Sequence, residues 1–404
     1  MFANFAARLR RSDVNYRLLL PLLLSGVLVQ AVVTIMRVTT SYRVVELDLP
    51  VIWLGIIAST YAVLPAVIAL RLGRFIDRGH DALATWIGAG LTVMAGAGLL
   101  ISGASKPLLL GSTALLGIGN LFTIVSQQML CVRCSDLKSR ESVFGNFMVA
   151  CAIGQGLGPF IVGWIGGEAK VPPTQLLFGA GLVLSGVALA VAVTIRPSRQ
   201  RSKSGGGKEV PVAELLRLPG LWAVMVASVI TVTAGDLIVI YLPLLGAERS
   251  IDVNAIGALL TARALASMAA RLLYARLIAG FGRIPLMVGT LLGGSAAFAC
   301  VAIPMPVALL YAATASTGFT VGVANTLTVT SVMAMTAAGV RATANSLRVT
   351  GNRVAQVALP FGASLVAAVA GTAGIFVIIA ASLAASGAAV WWSRPGERVD
   401  ESEG

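Results

Sequence analysis

Apolar positions in this chain do not alternate with polar ones; they come in blocks. Twelve runs of roughly 20 residues recur from end to end. Their approximate cores are 18–38, 51–70, 84–102, 107–129, 143–165, 174–195, 220–243, 254–270, 284–303, 306–334, 343–368 and 372–392. A helix of that length crosses a hydrocarbon core of ~30 Å, so each run is expected to be a transmembrane helix. One long polar stretch interrupts the series. It begins Arg196-Pro-Ser-Arg-Gln-Arg-Ser-Lys-Ser-Gly-Gly-Gly-Lys and runs to Leu218. Its mix of Gly, Ser and cations reads as a flexible linker. The organisation expected is a six-helix bundle over 1–195, a cytoplasmic linker over 196–218, and a second six-helix bundle with a short tail over 219–404. The fold class is therefore all-α integral membrane.

Composition sharpens this. The 404 residues are 57% hydrophobic and 12% charged, with a mean hydropathy of +0.88, which excludes a soluble globular domain. The 44 glycines suit helix contacts in lipid, where small residues let backbones approach. A formal charge of +13 invites a nucleic-acid reading, but the positions of the cations oppose it. With the chain start placed in the cytoplasm, 22 Lys and Arg fall in inside loops and tails, four in outside loops and four within spans. That asymmetry is the signature of a multi-pass protein of the plasma (inner) membrane with both termini cytoplasmic. Arg43 counts among the outside-loop cations. Residues 1–17 are basic, no cleavage pattern follows the first span, and that span is expected to be retained. Cys131 and Cys134 form a C-x-x-C, but the sole histidine, His80, lies in another predicted loop, so the pair reads as small-residue packing. The six tryptophans lie near predicted span ends and read as interface anchors.

The two halves repeat each other. The fourth span holds Gly117-Ile-Gly-Asn120-Leu-Phe-Thr123-Ile-Val-Ser126, and the tenth holds Gly322-Val-Ala-Asn325-Thr-Leu-Thr328-Val-Thr-Ser331, with Gly, Asn, Thr and Ser at a constant offset of 205. Pro159 in the fifth span and Pro360 in the eleventh are 201 apart, as are Arg140 and Arg341. Parallel six-helix repeats belong to transporters whose substrate site lies between the halves at mid-membrane.

Between spans two and three the sequence reads Arg71-Leu-Gly73-Arg74-Phe-Ile-Asp77-Arg78-Gly79-His80-Asp81. This resembles the loop signature of the major facilitator superfamily, in which Gly73, Asp77 and Arg78 match a G-x-x-x-D-R core. The second glycine comes one place early at Gly79, and Asp81 stands where a basic residue is usual. The resemblance implies a cytoplasmic latch here. The fifth span, Gly145-x8-Gly154-x3-Gly158-Pro159-x3-Gly163, resembles the family's antiporter motif, although Val162 replaces one of its terminal glycines. Gly154 and Gly158 would make a groove for a neighbouring helix, and Pro159 would permit a bend. The resemblance further implies that spans 1, 2, 4, 5, 7, 8, 10 and 11 line a central cavity while 3, 6, 9 and 12 face lipid.

Five charges lie within spans, all on spans the family would use as lining: Arg37, Asp236, Arg263, Arg348 and Arg353. Ionisable residues in a membrane are functional by default. Arg263 lies about 14 Å and Arg353 about 17 Å deep at ~1.5 Å per residue, both near the midplane. Their guanidiniums, with Asn352, Gln356, Asn120, Asn325 and Arg37, form the expected substrate site, suited to a carboxylate or phosphate. One buried acid cannot balance four cations, and an anionic cargo would. Asp236 is the expected proton carrier, with an ion pair to Arg37 or Arg263 as the structural alternative. Arg348, nearer the cytoplasm, is the expected gate, alongside Gly73, Asp77, Arg78, Gly154, Gly158 and Pro159 as conformational residues.

The function expected is alternating-access transport of a small amphipathic, anionic organic compound, driven outward by proton antiport. The alternatives are proton-coupled uptake of an organic acid and, from another class, a non-transporting membrane sensor on the same fold. No enzyme is expected: the sequence offers no paired carboxylates, no nucleophile with its base, no metal cluster and no nucleotide loop. The partners expected are a small-molecule substrate, protons and the bilayer, with no cofactor, no metal and no nucleic acid.

Overall fold

The computed structural model describes residues 16–77, 79–133, 140–195, 218, 220–336 and 341–393. The linker apart from Leu218, the first 15 residues, the tail after Ser393, Arg78 and Cys134 lie outside the described residues. Among the described residues every regular element is a helix. In order they are α1 (Tyr16–Glu46), α2 (Ile52–Asp77), α3 (Asp81–Ile101), α4 (Lys106–Arg133), α5 (Arg140–Gly166), α6 (Thr174–Thr194), α7 (Leu221–Glu248), α8 (Val253–Phe281), α9 (Arg283–Ala302) and α10 (Val307–Met335). A last helical stretch, Arg341–Ser393, has 53 residues, about 80 Å if straight and far more than one crossing requires. Gly371 breaks it with φ 71° and ψ 172°. The stretch is therefore two spans, α11 over 341–370 and α12 over 372–393, joined through one residue in a conformation that favours glycine. That completes the twelve predicted spans.

Three helix ends lie well beyond the hydropathy reading: α8 runs on to Phe281 rather than ending near 270, taking in Arg271 and Arg276, and α1 and α2 are extended for one shared reason. A polar residue facing protein looks like a loop residue when only the sequence is read. Helix α1 continues to Glu46 because Thr39, Thr40, Ser41, Tyr42 and Arg43 are all buried. Arg43, expected in an outside loop, pairs with Glu46 at 3.2 Å one turn on. Glu46 in turn accepts the Thr174 hydroxyl at the start of α6. Likewise the G-x-x-x-D stretch is not loop. Helix α2 runs through Gly73 to Asp77 because Leu72 and Ile76 pack against Ala84 and Leu121. The turn proper is Gly79, at φ 94°, which accounts for a glycine at that place. His80 stacks on Phe75 with ring centroids 4.6 Å apart. Asp81 opens α3 with its carboxylate buried, accepting the Ala82 N–H at 2.9 Å; an acid in the first turn complements the helix dipole.

Two compact units are present, and the boundary between them passes through α1, α2 and α5. The first holds residues 1–36, 67–158 and 175–204. In it α3 packs closely on α4, where a Cβ on Gly88 would lie 2.7 Å from the Thr123 nitrogen and one on Gly119 2.9 Å from the Gly88 carbonyl. Cys131 and Cys151 are buried with Leu22 and Phe147 in an apolar cluster of this unit, and Trp86 donates to the Ala192 carbonyl at 2.9 Å rather than only marking an interface.

The second unit holds residues 37–66, 159–174 and 205–404. The last six helices and the ends of α1, α2 and α5 nearest Glu46, Ile52 and Gly166 are thus one packed body; we call this end of the helices the far end. Two crossings knit it together. Pro159 and Gly163 of α5 meet Gly257 of α8, where an added Cβ would lie 2.5 Å from the Pro159 carbonyl oxygen. Pro360 of α11 meets Gly55 of α2, where an added Cβ would lie 2.6 Å from the Pro360 carbonyl oxygen. The two prolines at offset 201 thus play matching parts. Backbone bonds close the first crossing further: Val253 N–H to the Ala169 carbonyl and Asn254 N–H to that of Gly167, each at 2.9 Å. Ser59 of α2 closes the second, donating to the Val357 carbonyl at 2.6 Å.

Candidate functional site

Asp236 lies in the middle third of α7, where Gly235 leaves room beside it. Its Oδ1 accepts Arg37 Nη1 of α1 at 3.2 Å, and its Oδ2 accepts Gln356 Nε2 of α11 at 3.0 Å. Gln356 Oε1 then accepts Arg353 Nη1 at 3.1 Å, one turn back along α11. Arg37, Asp236, Gln356 and Arg353 therefore form one bonded chain across three helices of the second unit. The Arg37 guanidinium also lies 4.9 Å from the ring centroid of Tyr61 in α2, within cation–π range. The ion pair is not sealed: the Arg37 and Asp236 side chains are 19% and 26% exposed.

Arg263 of α8 arrives beside this chain. Its Nη2 donates to the Gly235 carbonyl at 2.9 Å, one residue from Asp236. Glycine is needed on the other side of it: a Cβ on Gly318 of α10 would lie 2.1 Å from the Arg263 carbonyl and 2.9 Å from its Cγ. Its Nε is buried with no partner among the described residues. Arg263 and Arg353 thus bond to neutral oxygens, while Asp236 has Arg37 as its ion-pair partner. Guanidiniums are the side chains best suited to bind a carboxylate or phosphate.

Nearer the start of α7, Ser228 gathers the other two predicted residues of α11. Arg348 Nη1 donates to Ser228 Oγ at 3.1 Å, and Asn352 shares the same hydroxyl at 3.3 Å. Asn325 stands partly buried on α10, its carbonyl accepting the Thr328 hydroxyl at 2.8 Å; among the described residues it is not bonded to Asp236 or Arg353.

Asn120 belongs to the first unit. Its Oδ1 accepts Gln30 Nε2 at 3.4 Å, and Gln30 Oε1 accepts Gln155 Nε2 at 3.3 Å. Gly154 and Gly158 of the same unit hold α5 against α1: an added Cβ would lie 2.2 Å from the Val27 carbonyl at the first and 2.9 Å from that of Ala31 at the second. The predicted groove exists, and its occupant is α1. Gly73 sits in the last turns of α2 with open space around it; the Asp77 side chain and Arg78 lie outside the described residues.

Sequence reasoning missed Gln30, Tyr61, Gln155 and Ser228. For one of them a signal existed. Gln155 and Gln356 are 201 apart, the offset of the repeat, and each reaches back to the first helix of its own half, Gln155 to Gln30 and Gln356 to Asp236. The amide pair of one half corresponds to the amide–carboxylate pair of the other.

The sequence matches the family model described as Major Facilitator Superfamily over residues 22–249 and 224–403. No curated protein matches it significantly. Among solved structures, a bacterial homologue of the human lysosomal transporter Spinster superposes with a TM-score of 0.76 at 15% identity, over 95% of this chain and 98% of that one. The nucleoside transporter NupG gives 0.77 at 12% identity over 93% and 99%, and a D-xylose-proton symporter 0.77 at 13% over 93% and 97%. At such identities the likeness carries the fold alone. The family model, spanning both sets of six helices, carries the membership: this chain belongs to the Major Facilitator Superfamily, whose members transport by alternating access.

Proposed function

We propose that this protein is a proton-coupled secondary transporter of the plasma membrane, both termini cytoplasmic, exporting a small amphipathic organic anion. The six-helix halves, 1–195 and 219–404, are the bodies that rock. The observation that carries the reading is the Asp236 carboxylate held between Arg37 and Gln356, with Arg353 and Arg263 close by. In its charged form Asp236 ties α1 to α7 and favours closure of the outer side. A proton on Asp236 neutralises it, and the tie becomes an ordinary hydrogen bond. Arg37 is then released to attract an anion together with Arg263 and Arg353. The Asp236 carboxylate and an anionic cargo thus compete for the same guanidiniums, which ties cargo binding to the proton on Asp236; the run Gly154, Gly158 and Pro159 of α5 is what favours the outward direction. Asn352, Gln356, Asn120 and Asn325 supply neutral contacts to the cargo, and Arg348 gates from the cytoplasmic side with Gly73, Asp77, Arg78, Gly154, Gly158 and Pro159 serving the rocking.

Uptake of an organic acid with protons is the second reading, favoured by the surplus of guanidiniums around one carboxylate. A D-xylose-proton symporter among the similar structures is compatible with either direction.

Flux in proteoliposomes with an imposed pH gradient, on a cargo selected by a thermal-shift screen of organic acids and drugs, tests the proposal. Asp236→Asn is expected to abolish uphill flux and keep downhill exchange. Arg353→Ala and Arg263→Ala should each lower flux of an anionic cargo about ten- to hundredfold, the value of a charge-assisted contact. Uphill, pH-driven flux surviving in Asp236→Asn would end the proton assignment, and undiminished flux in both arginine variants would end the substrate site. The sign of the gradient that drives accumulation decides between the directions.

A further inference from the structure

The second unit contains a cavity of about 330 Å³ bounded by α7, α11 and α12. None of Arg37, Asp236, Arg263, Arg353 and Gln356 lines it, so it is separate from the polar chain described above. Its walls come from the hairpin at Gly371. Val366 and Ile375, Ala363 and Ile378, and Leu359 and Ser382 all line it, each pair at matching distances either side of the turn. Leu359 and Ile378 are 40% and 49% exposed, so the mouth opens where a bilayer would lie.

The chemistry at its base is specific. Several buried threonines bond a carbonyl one turn back, as Thr231 does to Ala227 at 2.6 Å, and only a few, Thr39, Thr233 and Thr314, leave the hydroxyl without a partner among the described residues. Thr233 lines the cavity, is 6% exposed, and its hydroxyl has no partner among the described residues. It stands twelve residues into α7, about 18 Å along the helix, near the middle of a core ~30 Å thick. Lipid head groups and their esters do not reach that depth, and an ion does not dissolve there. The volume is roughly twice the ~150 Å³ apolar cavity that takes a benzene ring.

We propose that this cavity is a binding site, entered from the bilayer, for an uncharged lipophilic molecule bearing one hydrogen-bonding group, which bonds Thr233 while its apolar body fills the space between α11 and α12. The guest lies one helical turn from Asp236 along α7 and from Gln356 along α11, behind the polar chain rather than within it. The site is independent of the direction of transport and of the cargo.

The probe is an alkylphenol carrying a diazirine, beside its alkylbenzene twin that lacks the hydroxyl. Full-length protein in proteoliposomes is photolabelled and the label mapped by mass spectrometry. Saturable labelling of α7, α11 and α12, displaced by unlabelled alkylphenol, is expected. Gly362→Leu fills the cavity; a Cβ at Gly362 meets nothing within 4 Å, so the variant folds, and it should cut labelling about tenfold. Thr233→Val keeps the shape and should weaken the phenol about two- to tenfold while leaving the alkylbenzene unchanged. Labelling that climbs without saturation and spreads over other lipid-facing helices means bulk partitioning, which overturns the site. So does indifference to Gly362→Leu, or an equal effect of Thr233→Val on both twins.

Discussion

Alanine at Gly257 should open the far end of the protein. The new Cβ would lie 2.5 Å from the Pro159 oxygen, 2.7 Å from Gly163 Cα and 2.8 Å from its nitrogen. All three are backbone atoms, so no rotamer change relieves them. Ordinary carbon contacts lie at about 3.5–4.0 Å, so α5 and α8 must part by about 1 Å. Overpacking of this kind costs ~1–3 kcal/mol. In alternating access the crossing is closed in one state and open in the other, so the cost falls on the closed state alone. It shifts the balance about 5- to 150-fold. Val253, fully buried beside Gly166, serves as reporter. In a background without the four native cysteines, Val253→Cys is reacted with a membrane-impermeant thiol reagent, and Gly257→Ala should speed the reaction by that factor. Gly145→Ala, also in α5, is the control, because its Cβ would meet nothing within 4 Å. Equal reaction rates in the two backgrounds would refute the idea that this crossing is the closure.

Three further outcomes are expected. Arg249 Nη1 and Nη2 donate to the carbonyls of Val301, Ile303 and Ala302 at the end of α9; Arg249→Met should destabilise by about 1 kcal/mol, partial exposure keeping it low, and Arg249→Lys should rescue incompletely because an ammonium cannot fork. A thermal unfolding series reads both, and a melting point unmoved by Arg249→Met removes the capping role. Gly318→Ala pushes directly on the Arg263 backbone and should lose ~1–3 kcal/mol together with anion binding, checked by unfolding and by thermal shift with a cargo; retention of both would show that α8 and α10 yield without cost. Ser228→Ala removes the hydroxyl that Arg348 and Asn352 share and should change turnover more than apparent affinity, as measured by initial rates over a range of cargo concentrations; an effect confined to affinity would place Arg348 at the cargo rather than the gate.

Twelve crossings were legible because hydropathy reports the solvent along each segment, and a bilayer is a solvent of fixed thickness. The limits of α1 and α2 were not, since Tyr42, Arg43 and Ile76 are placed by protein neighbours instead of lipid. Every charged group of the candidate site could be named from rarity alone: a charge in a span is conspicuous whichever helix it meets. Which charge meets which was not readable. The rotation of α1 against α7 decides whether Arg37 or Arg263 reaches Asp236, and a one-residue turn of either helix moves a side chain by about 100°. Uncharged partners were the least visible. Ser228 and Gln30 are ordinary residues made significant by what lies opposite, and only Gln155 had a repeat partner to betray it.

The single residue joining α11 to α12 has a mechanical consequence. A loop of several residues would absorb the movement of one span before the next felt it, and Gly371 leaves no such slack. Thr372, immediately after it, is pinned to Glu248 at the end of α7. Any shift of Pro360 against Gly55 is therefore handed on to α12, whose Val377 and Trp391 are about half exposed and meet acyl chains. The hairpin works as a lever with one arm in the transport cycle and the other in the membrane, and turnover should respond to the thickness and order of the surrounding lipid.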